Sequence, residues 1–495
     1  MFLELDGKGP QYAQLTRAIQ SAIHDGRLGY GSRLPSTRVL ARELALSRTT
    51  VLAAYEQLRA EGYIDGRVGS GSFVAINRAA QPPDADMPAI APPSRYARRA
   101  RRLQNLLPAI QHYDMRYNLQ YSHPLINPSL NEIWGRELAY AAAHTSLEGI
   151  DPQGLPALRQ QICDYLARWR GLVVQPQDVL ITSGAQQAFS LAARVLLDEG
   201  DTAVVEEPHY FGAYQALAAH GANLSLVRTD GEGLVCDELP SLAPRLICVT
   251  PSHQFPSGAA MSLSRRRDLL RYAAEKHCWI LEDDFDGEFR YDTQPLAPLR
   301  SLAGADRVIY VGTFAKTLFH AARVGYVVLP PALRDDFVTA KYLDDLASPV
   351  IPQAALAHFM ESGGFERHLR SARKELRARR AEVVRGLRHH AWRHVDLVDS
   401  DAGMYVLAWL RDYDHAAAEE LIAHARSRGL GLHSVSLHYT QPPPRPGLML
   451  GFARLSVAAL HEAMQLLGQC LDDMSARRKH AAMAPWCTAA RFAVS

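Results

Sequence analysis

Two runs of β-branched and aromatic residues, Val308 to Val311 and Val324 to Leu329, flank a single lysine, Lys316, and this stretch constrains the fold more than any other. Both runs predict buried strands, with Lys316 at a strand exit. Apolar surroundings push an amine towards its neutral form, and a neutral amine is what attacks an aldehyde. Arg323, seven positions on, is close enough to anchor a phosphate held by the same loop. This stretch alone is equally compatible with a snorkelling surface lysine beside a structural arginine.

The chain of 495 residues is too long for one compact core, so two or three domains are expected. A net charge of only +2 means that any case for nucleic acid must rest on local features. The six cysteines stand singly, without metal-ligand spacing, and read as reduced thiols of a cytoplasmic protein. No basic and apolar leader opens the sequence and no apolar run is long enough to span a bilayer, so a cytoplasmic location without membrane attachment is expected.

In residues 1–76, Tyr12, Leu15, Ile19 and Ile23 recur at helical spacing, and Asp25-Gly26 closes that helix. Ser36 is placed to cap a short helix burying Val39, Leu40 and Leu44. After a tight turn at Ala45-Leu46, Ser47-Arg48-Thr49-Thr50 opens a further helix with Val51, Tyr55 and Leu58 on one face. This is helix-turn-helix spacing, and short polar groups at a helix N-terminus suit phosphates and base edges in the major groove. Two short strands around Arg67-Val68-Gly69-Ser70 follow, forming a wing able to lie along the minor groove. An ordinary small helical domain with solvated arginines is the plainer reading of the same pattern.

The words Leu-Pro-Ser-Thr-Arg38, Leu-Ser-Arg48-Thr-Thr-Val and Glu-Gly-Tyr-Ile…Gly-Ser-Gly-Ser-Phe-Val make the module resemble the GntR-type winged helix-turn-helix. The resemblance implies double-stranded operator DNA as a partner, contacted by Arg38, Ser47, Arg48, Thr49 and Thr50, with Gly69 in the wing. One contact position of the family falls on the apolar Leu52, so the base preference does not carry over. Residues 77–108, with Ala-Ala-Gln-Pro-Pro-Asp, Ala-Pro-Pro-Ser and then Arg95-Tyr-Ala-Arg-Arg-Ala-Arg-Arg102, read as a proline-stiffened linker whose arginines are a solvated charge run or touch phosphates.

From 109 to 475, helical stretches alternate with short apolar runs such as Val179 to Thr182, Thr202 to Glu206, Leu246 to Thr250 and Trp279 to Glu282. This alternation predicts an α/β domain with a mainly parallel sheet and ligands at the strands' carboxyl ends. The distinctive residues stand at those ends. Ser183, Gly184 and Ala185 form a strand-to-helix turn with free N–H groups for a phosphate. Tyr210, in Glu207-Pro-His-Tyr, offers a face for a planar ring or fills the core. Asp283, in Glu-Asp-Asp-Phe-Asp286, needs a cationic partner, which a protonated pyridine nitrogen would be. Taken alone, the acidic run suits Mg²⁺ as well.

A phosphate turn, a stacking aromatic, a strand-end Asp, a lysine and an arginine, in that order, specify pyridoxal 5'-phosphate and no metal. Through Asp151-Pro-Gln-Gly-Leu-Pro-Ala-Leu-Arg159, Thr-Ser-Gly-Ala-Gln, Glu-Asp-Asp-Phe-Asp-Gly-Glu-Phe-Arg-Tyr and Gly-Thr-Phe-Ala-Lys-Thr-Leu, the module resembles the fold-type I aminotransferases. With its GntR-like head the chain resembles the MocR/GabR-type transcriptional regulators over nearly its whole length. The resemblance implies Lys316 as the Schiff-base lysine, Asp283 on the pyridine nitrogen, Tyr210 stacked on the ring, and Ser183, Gly184, Ala185 and Arg323 on the phosphate. It also implies a homodimer that senses a small amine effector or the cofactor itself.

Several positions depart from that pattern. Phe285 replaces the usual Tyr, and Phe255 stands in place of an Asn, with His253 or Gln254 as candidate substitutes. Ala315 replaces a Ser, and Gly149 or Ile150 falls where a Tyr is expected. Met449 stands where transaminases carry an Arg for the substrate's carboxylate, which leaves Arg454 and Arg445 as nearby guanidinium sources. These losses spare cofactor attachment and strike substrate handling, which favours a sensor with at most weak transamination over an aminotransferase that carries a DNA-binding domain. Residues 476–495 lose periodicity and predict a loosely ordered tail.

Overall fold

The fold is known from a computed structural model that describes residues 3–67, 71–76, 92–104, 115–121, 123–125, 127–146, 149, 151–294, 296–398 and 400–489. The chain divides into two compact units, Met1–Pro92 and Pro93–Ser495.

In the first unit, α1 (Gln11–His24), α2 (Thr37–Glu43) and α3 (Arg48–Ala60) precede an antiparallel pair, β1 (Ile64–Arg67) and β2 (Gly71–Val74). Leu15, Ile19 and Ile23 of α1 meet Leu40, Val51, Tyr55 and Leu58 in one core, as the spacing predicts. Two expected core members are absent from it: Tyr12 is 41% exposed and Val39 46% exposed, while Leu44 is half-buried. The seven residues of α2 have room for a single inward stripe, which Leu40 and Ala41 fill. Both Ser caps form: Ser36 Oγ accepts from Val39 N at 3.4 Å and Ser47 Oγ from Thr50 N at 3.0 Å. Ala45, at φ 53°, makes the sharp turn between α2 and α3.

The second unit opens with α4 (Arg95–Gln104), followed by β3 (Tyr117–Asn118), α5 (Pro128–His144), α6 (Pro156–Arg170), β4 (Val179–Thr182), α7 (Ala185–Leu196), β5 (Thr202–Glu207) and α8 (Phe211–His220). Next come β6 (Asn223–Asp230), β7 (Gly233–Leu234), β8 (Leu246–Val249), α9 (Leu263–Lys276), β9 (Trp279–Asp284), β10 (Val308–Thr313) and β11 (Gly325–Val328). The chain continues through α10 (Arg334–Asp345), α11 (Val350–Glu361), α12 (Gly364–Gly386), β12 (Val395–Leu397), β13 (Tyr405–Leu410) and α13 (His415–Ser427). It ends with β14 (Leu430–Gly431), β15 (His433–Ser434), β16 (Gly447–Gly451) and α14 (Val457–Ala489).

Eight strands form the central sheet in the order β4-β11-β10-β9-β8-β5-β6-β7. It is an α/β fold whose sheet is mainly parallel, with β11 antiparallel to both its neighbours and β7 antiparallel to β6. Strands β4, β8, β10 and β11 are buried along their length, as continuous apolar runs between helical layers require. A second sheet, β12-β13-β16-β15, packs with α12, α13 and α14 around its own core.

Two boundaries differ from the sequence expectation. The arginine run of the expected linker is the helix α4, capped by Ser94 Oγ accepting from Ala97 N at 3.2 Å. Its Arg99 donates to the carbonyls of Ala219 (2.9 Å) and His220 (3.2 Å) at the end of α8 and pairs with Glu199 at 3.0 Å. Charge spacing did not reveal this because the partners are orphan carbonyls of a distant helix end. The expected loose tail is helical to Ala489; helix-forming Ala, Arg and Met extend α14 past its last buried residue, Met474. No helix among the described residues is long and apolar enough to cross a membrane.

Replacing Arg99 with Ala leaves two carbonyls without their donor, so local opening of α4 is expected to cost about 1.4 kcal/mol less. Amide hydrogen exchange over residues 95–104 should rise about tenfold, and unchanged exchange would show that the arginine does not hold the helix.

Candidate functional site

Strand register brings the distinctive residues of the second unit together. Val311 pairs with Asp283, Gly312 with Asp284, Thr313 with Gly325, and Gly325 with Thr182, so four strand ends meet at one edge of the sheet. A cavity of about 260 Å³ opens there. It is lined by Gly184, Ala185, Tyr210, Asp283, Lys316 and Arg323 from the expected set, joined by Phe255, Phe285 and Ala315 from the expected departures.

The turn from β4 into α7 is a cradle with little free space around its backbone. Gly184 has φ 85°, and a Cβ there would lie 3.1 Å from Arg323 Nη2; a Cβ on Gly325 would lie 2.9 Å from Gly184 Cα. Arg323 Nη2 donates to Ser183 O at 2.5 Å, which aims the guanidinium across the N-terminus of α7. Free helical N–H groups, the helix dipole and a fixed guanidinium together form an anion site of phosphate size.

The strand-end acids are sorted by their partners. Glu282 accepts from the backbone N–H of Leu299 (2.6 Å) and Arg300 (2.8 Å). Asp284 is paired with Arg170 at 2.6 Å and accepts from Tyr310 at 2.6 Å. Asp286 accepts from His253 Nδ1 at 2.8 Å. Asp283 Oδ1 is buried with no hydrogen-bond partner among the described residues, and burial followed by the charge of Asp284 pushes its carboxyl up to about 8. Lys316, on the same cavity, is pushed down to about 8 by burial, against the pull of Asp286 and Asp283. No cluster that could hold a metal ion exists among the described residues, and the Arg170 and His253 pairings remove the reading of a Mg²⁺ site.

The departures have structural consequences. Met449 is wholly buried beside Tyr121, Phe255 and Tyr405 and does not line the cavity. Arg445 is paired with Asp396 at 2.6 Å and lies over Trp409, away from the cavity. Gln254 is committed to Ser257, Pro208 and Glu206. His253 is not on the cavity wall and reaches it through Asp286. Gly149 also lies outside the wall, and Ile150 is outside the described residues. Tyr121, Asp286, His320, Met404 and Tyr405 line the cavity without having been singled out. Of these, Asp286 alone had a visible signal, as the last acid of the Glu-Asp-Asp-Phe-Asp run.

In the first unit, Arg38, Ser47, Arg48 and Thr49 are exposed and Thr50 is half-buried. Ser47 Oγ lies 2.8 Å from Thr49 Oγ1 and 2.7 Å from Thr50 Oγ1, so the start of α3 presents a compact hydroxyl cluster beside Arg48. Leu52 is 46% exposed on the same helix. Gly69 lies outside the described residues.

Both units match known families. The family of bacterial regulatory proteins, gntR family, matches residues 11–74, and aminotransferase class I and II matches residues 120–464. The probable rhizopine catabolism regulatory protein MocR of Rhizobium meliloti is 34% identical over 476 residues, covering 94% of this chain and 95% of that protein. The HTH-type pyridoxine biosynthesis transcriptional regulator PdxR of Corynebacterium glutamicum is 34% identical, over 75% of this chain and 77% of its own length. Among solved structures, the kynurenine aminotransferase of Pyrococcus horikoshii aligns with a TM-score of 0.67 at 26% identity, covering 75% of this chain and 94% of that one. The α-aminoadipate aminotransferase LysN of Thermus thermophilus aligns with a TM-score of 0.66 at 27% identity, over 77% and 98%. The chain therefore belongs to the MocR-type transcriptional regulators, in which a GntR-family helix-turn-helix precedes an aminotransferase class I and II domain.

Proposed function

We propose that this regulator binds operator DNA through the start of α3 and binds pyridoxal 5'-phosphate in the cavity at the sheet edge, where a small amine effector or the cofactor itself is sensed. The observation that carries the reading is the pair formed by Asp283 and Lys316. A buried carboxyl without a partner and an amine held near neutrality face one cavity, beside a helix N-terminus with a fixed guanidinium.

In this reading Ser183, Gly184, Ala185 and Arg323 hold the phosphate, Tyr210 covers the ring, and Asp283 accepts the ring's N–H. Bound there, pyridoxal 5'-phosphate supplies an aldehyde that condenses with amines and a ring that withdraws electrons. Lys316 contributes its Nζ as the nucleophile, and its lowered proton affinity keeps a substantial neutral fraction available near pH 8. The aromatic wall excludes water from the amine. With Met449 buried, that wall offers no guanidinium at the position where a transaminase grips its substrate's carboxylate, which favours sensing over turnover.

The site has a mechanical connection to the linker end of its own unit. Tyr210 immediately precedes α8, and Arg99 of α4 closes the other end of the same helix. A ligand that moves Tyr210 therefore acts on the helix that α4 grips. A coupling of about 1 to 3 kcal/mol is enough for a regulatory switch. A homodimer supplies the two heads that paired half-sites need.

Visible absorption of the purified protein with pyridoxal 5'-phosphate tests the reading. Wild type should show an imine band that Lys316→Ala abolishes, and one amine should shift that band and change operator affinity together. A wild type without the band would remove the cofactor from the reading. Arg48→Ala should weaken operator binding and reduce the slope of log affinity against log salt by about one; an unaltered slope would mean that Arg48 does not contact phosphate.

Asp283 also predicts a pH dependence. In the unfolded chain its carboxyl is ionised well below neutrality, while in the fold it holds its proton up to about 8, and Glu206, Glu282 and Glu288 hold theirs to about 7. The folded state binds more protons between pH 7 and 8, so stability falls as pH rises through that window. The buried histidines with lowered proton affinity, such as His438 at about 3, lose their protons from an unfolded value of 6.5, below the window. The thermal midpoint of the cofactor-free protein should therefore fall from pH 7 to 8, and Asp283→Asn should flatten the fall; an equal fall in the variant would show that Asp283 is already ionised.

A further inference from the structure

Lys316 faces two acids of one run, and they are held differently. Asp283 has no hydrogen-bond partner for Oδ1 among the described residues. Asp286 is fixed: it is 2% exposed, and both its oxygens accept from His253 Nδ1, at 2.8 and 3.0 Å. The imidazole lies between two rings, Phe285 at 5.7 Å and 25° and Tyr405 at 5.7 Å and 30°. Gly403 lets the pair sit against the backbone, since at φ 82° a Cβ there would be 2.3 Å from His253 Cε1 and 3.1 Å from Asp286 Oδ2. Two rings, a glycine and a bidentate hydrogen bond thus aim one carboxylate into the cavity that contains Lys316.

We propose that Asp286, clamped by His253, is the standing counter-ion of Lys316, positioning the amine and holding its proton at Nζ. The other titratable or charged groups around Lys316 have other attachments. Tyr210 and Tyr405 are phenols that burial keeps protonated. Arg323 is tied to Ser183 O. His123 is stacked on His320 at 6.1 Å, and its proton affinity is lowered by burial and then by Arg454 and Lys316. Arg323, His123, His320 and Arg454 carry or can carry positive charge and so cannot serve as counter-ion. Asp283 is the remaining acid, and the proposal rests on the reading above only in assigning Asp283 to the cofactor's ring. Phe285, between the two acids in the chain, brings no polar atom to the amine. His253 is a positioning residue, because it acts on Lys316 through Asp286.

The test does not depend on cofactor binding. The pH profile of acetylation of Lys316 by acetic anhydride, followed by mass spectrometry of its peptide in the cofactor-free protein, reads the proton affinity of Nζ directly. A neighbouring carboxylate favours the charged amine, so Asp286→Asn, which keeps the shape and removes the charge, should lower the midpoint by about one pH unit. His253→Ala should lower it by part of that amount. His253→Gln, whose side-chain amide can still donate to the carboxylate, should restore it. A midpoint within about 0.2 unit of wild type in Asp286→Asn would overturn the proposal, as would equal midpoints in His253→Ala and wild type. An absorption titration with pyridoxal 5'-phosphate separates the two claims. If wild type gives no Lys316-dependent band, the cofactor reading falls while the acetylation profile still decides the counter-ion.

Discussion

Burial of charge at the carboxyl edge of the central sheet is the constraint on which the rest of the second unit depends. Four acids, Glu282, Asp283, Asp284 and Asp286, stand within five residues, each at most 8% exposed. Taking carboxylates out of water is costly unless each is paired or neutral. The fold meets that cost with a different device for each acid: backbone N–H groups for Glu282, a guanidinium with a phenol for Asp284, and an imidazole for Asp286. Arg170 must therefore cross from the end of α6 into the sheet edge, where it also donates to Gly287 O at 3.1 Å and Ser252 Oγ at 3.2 Å. The positions of α6 and of the loop carrying His253 are tied to this neutralisation. Asp283 is the exception, and an unpaired acid at a ligand-sized cavity marks where a cationic ligand atom belongs.

The same logic explains what the sequence showed and what it hid. Lys316, Asp283 and the Ser183-Gly184-Ala185 turn were legible because each stands where an apolar run ends, and a strand end in an α/β sheet is where ligands bind. Tyr405 and Tyr121 were not, because they sit on a short strand of the second sheet and on an irregular segment, and only tertiary packing brings them to the cavity. The arginine run of α4 was misread for a related reason. Seen alone it is a solvated charge run, and its capping role exists only once the end of α8 lies beneath it. Val39 shows the opposite limit: its apolar character is local information, whereas the direction it faces depends on how little of a seven-residue helix can be buried.

Met449 and Phe285 together show how a catalytic scaffold can keep its cofactor chemistry and change its use. At Met449 the scaffold packs a thioether against Tyr121, Phe255 and Tyr405, so the interior next to the cavity is an aromatic cluster of edge-to-face contacts with centroids 5.8 to 6.3 Å apart. Such a wall is stiff and carries no charge to orient a carboxylate. A ligand that enters is held chiefly through its amine and its apolar surface. Selective stabilisation of a transition state needs charged donors aimed at the reacting group, and the loss of one such donor commonly costs orders of magnitude in rate. A site built this way retains the capacity to bind and loses much of the capacity to turn over. For a protein whose output is a change in DNA binding, that is the useful half, because a ligand converted and released would end its own signal.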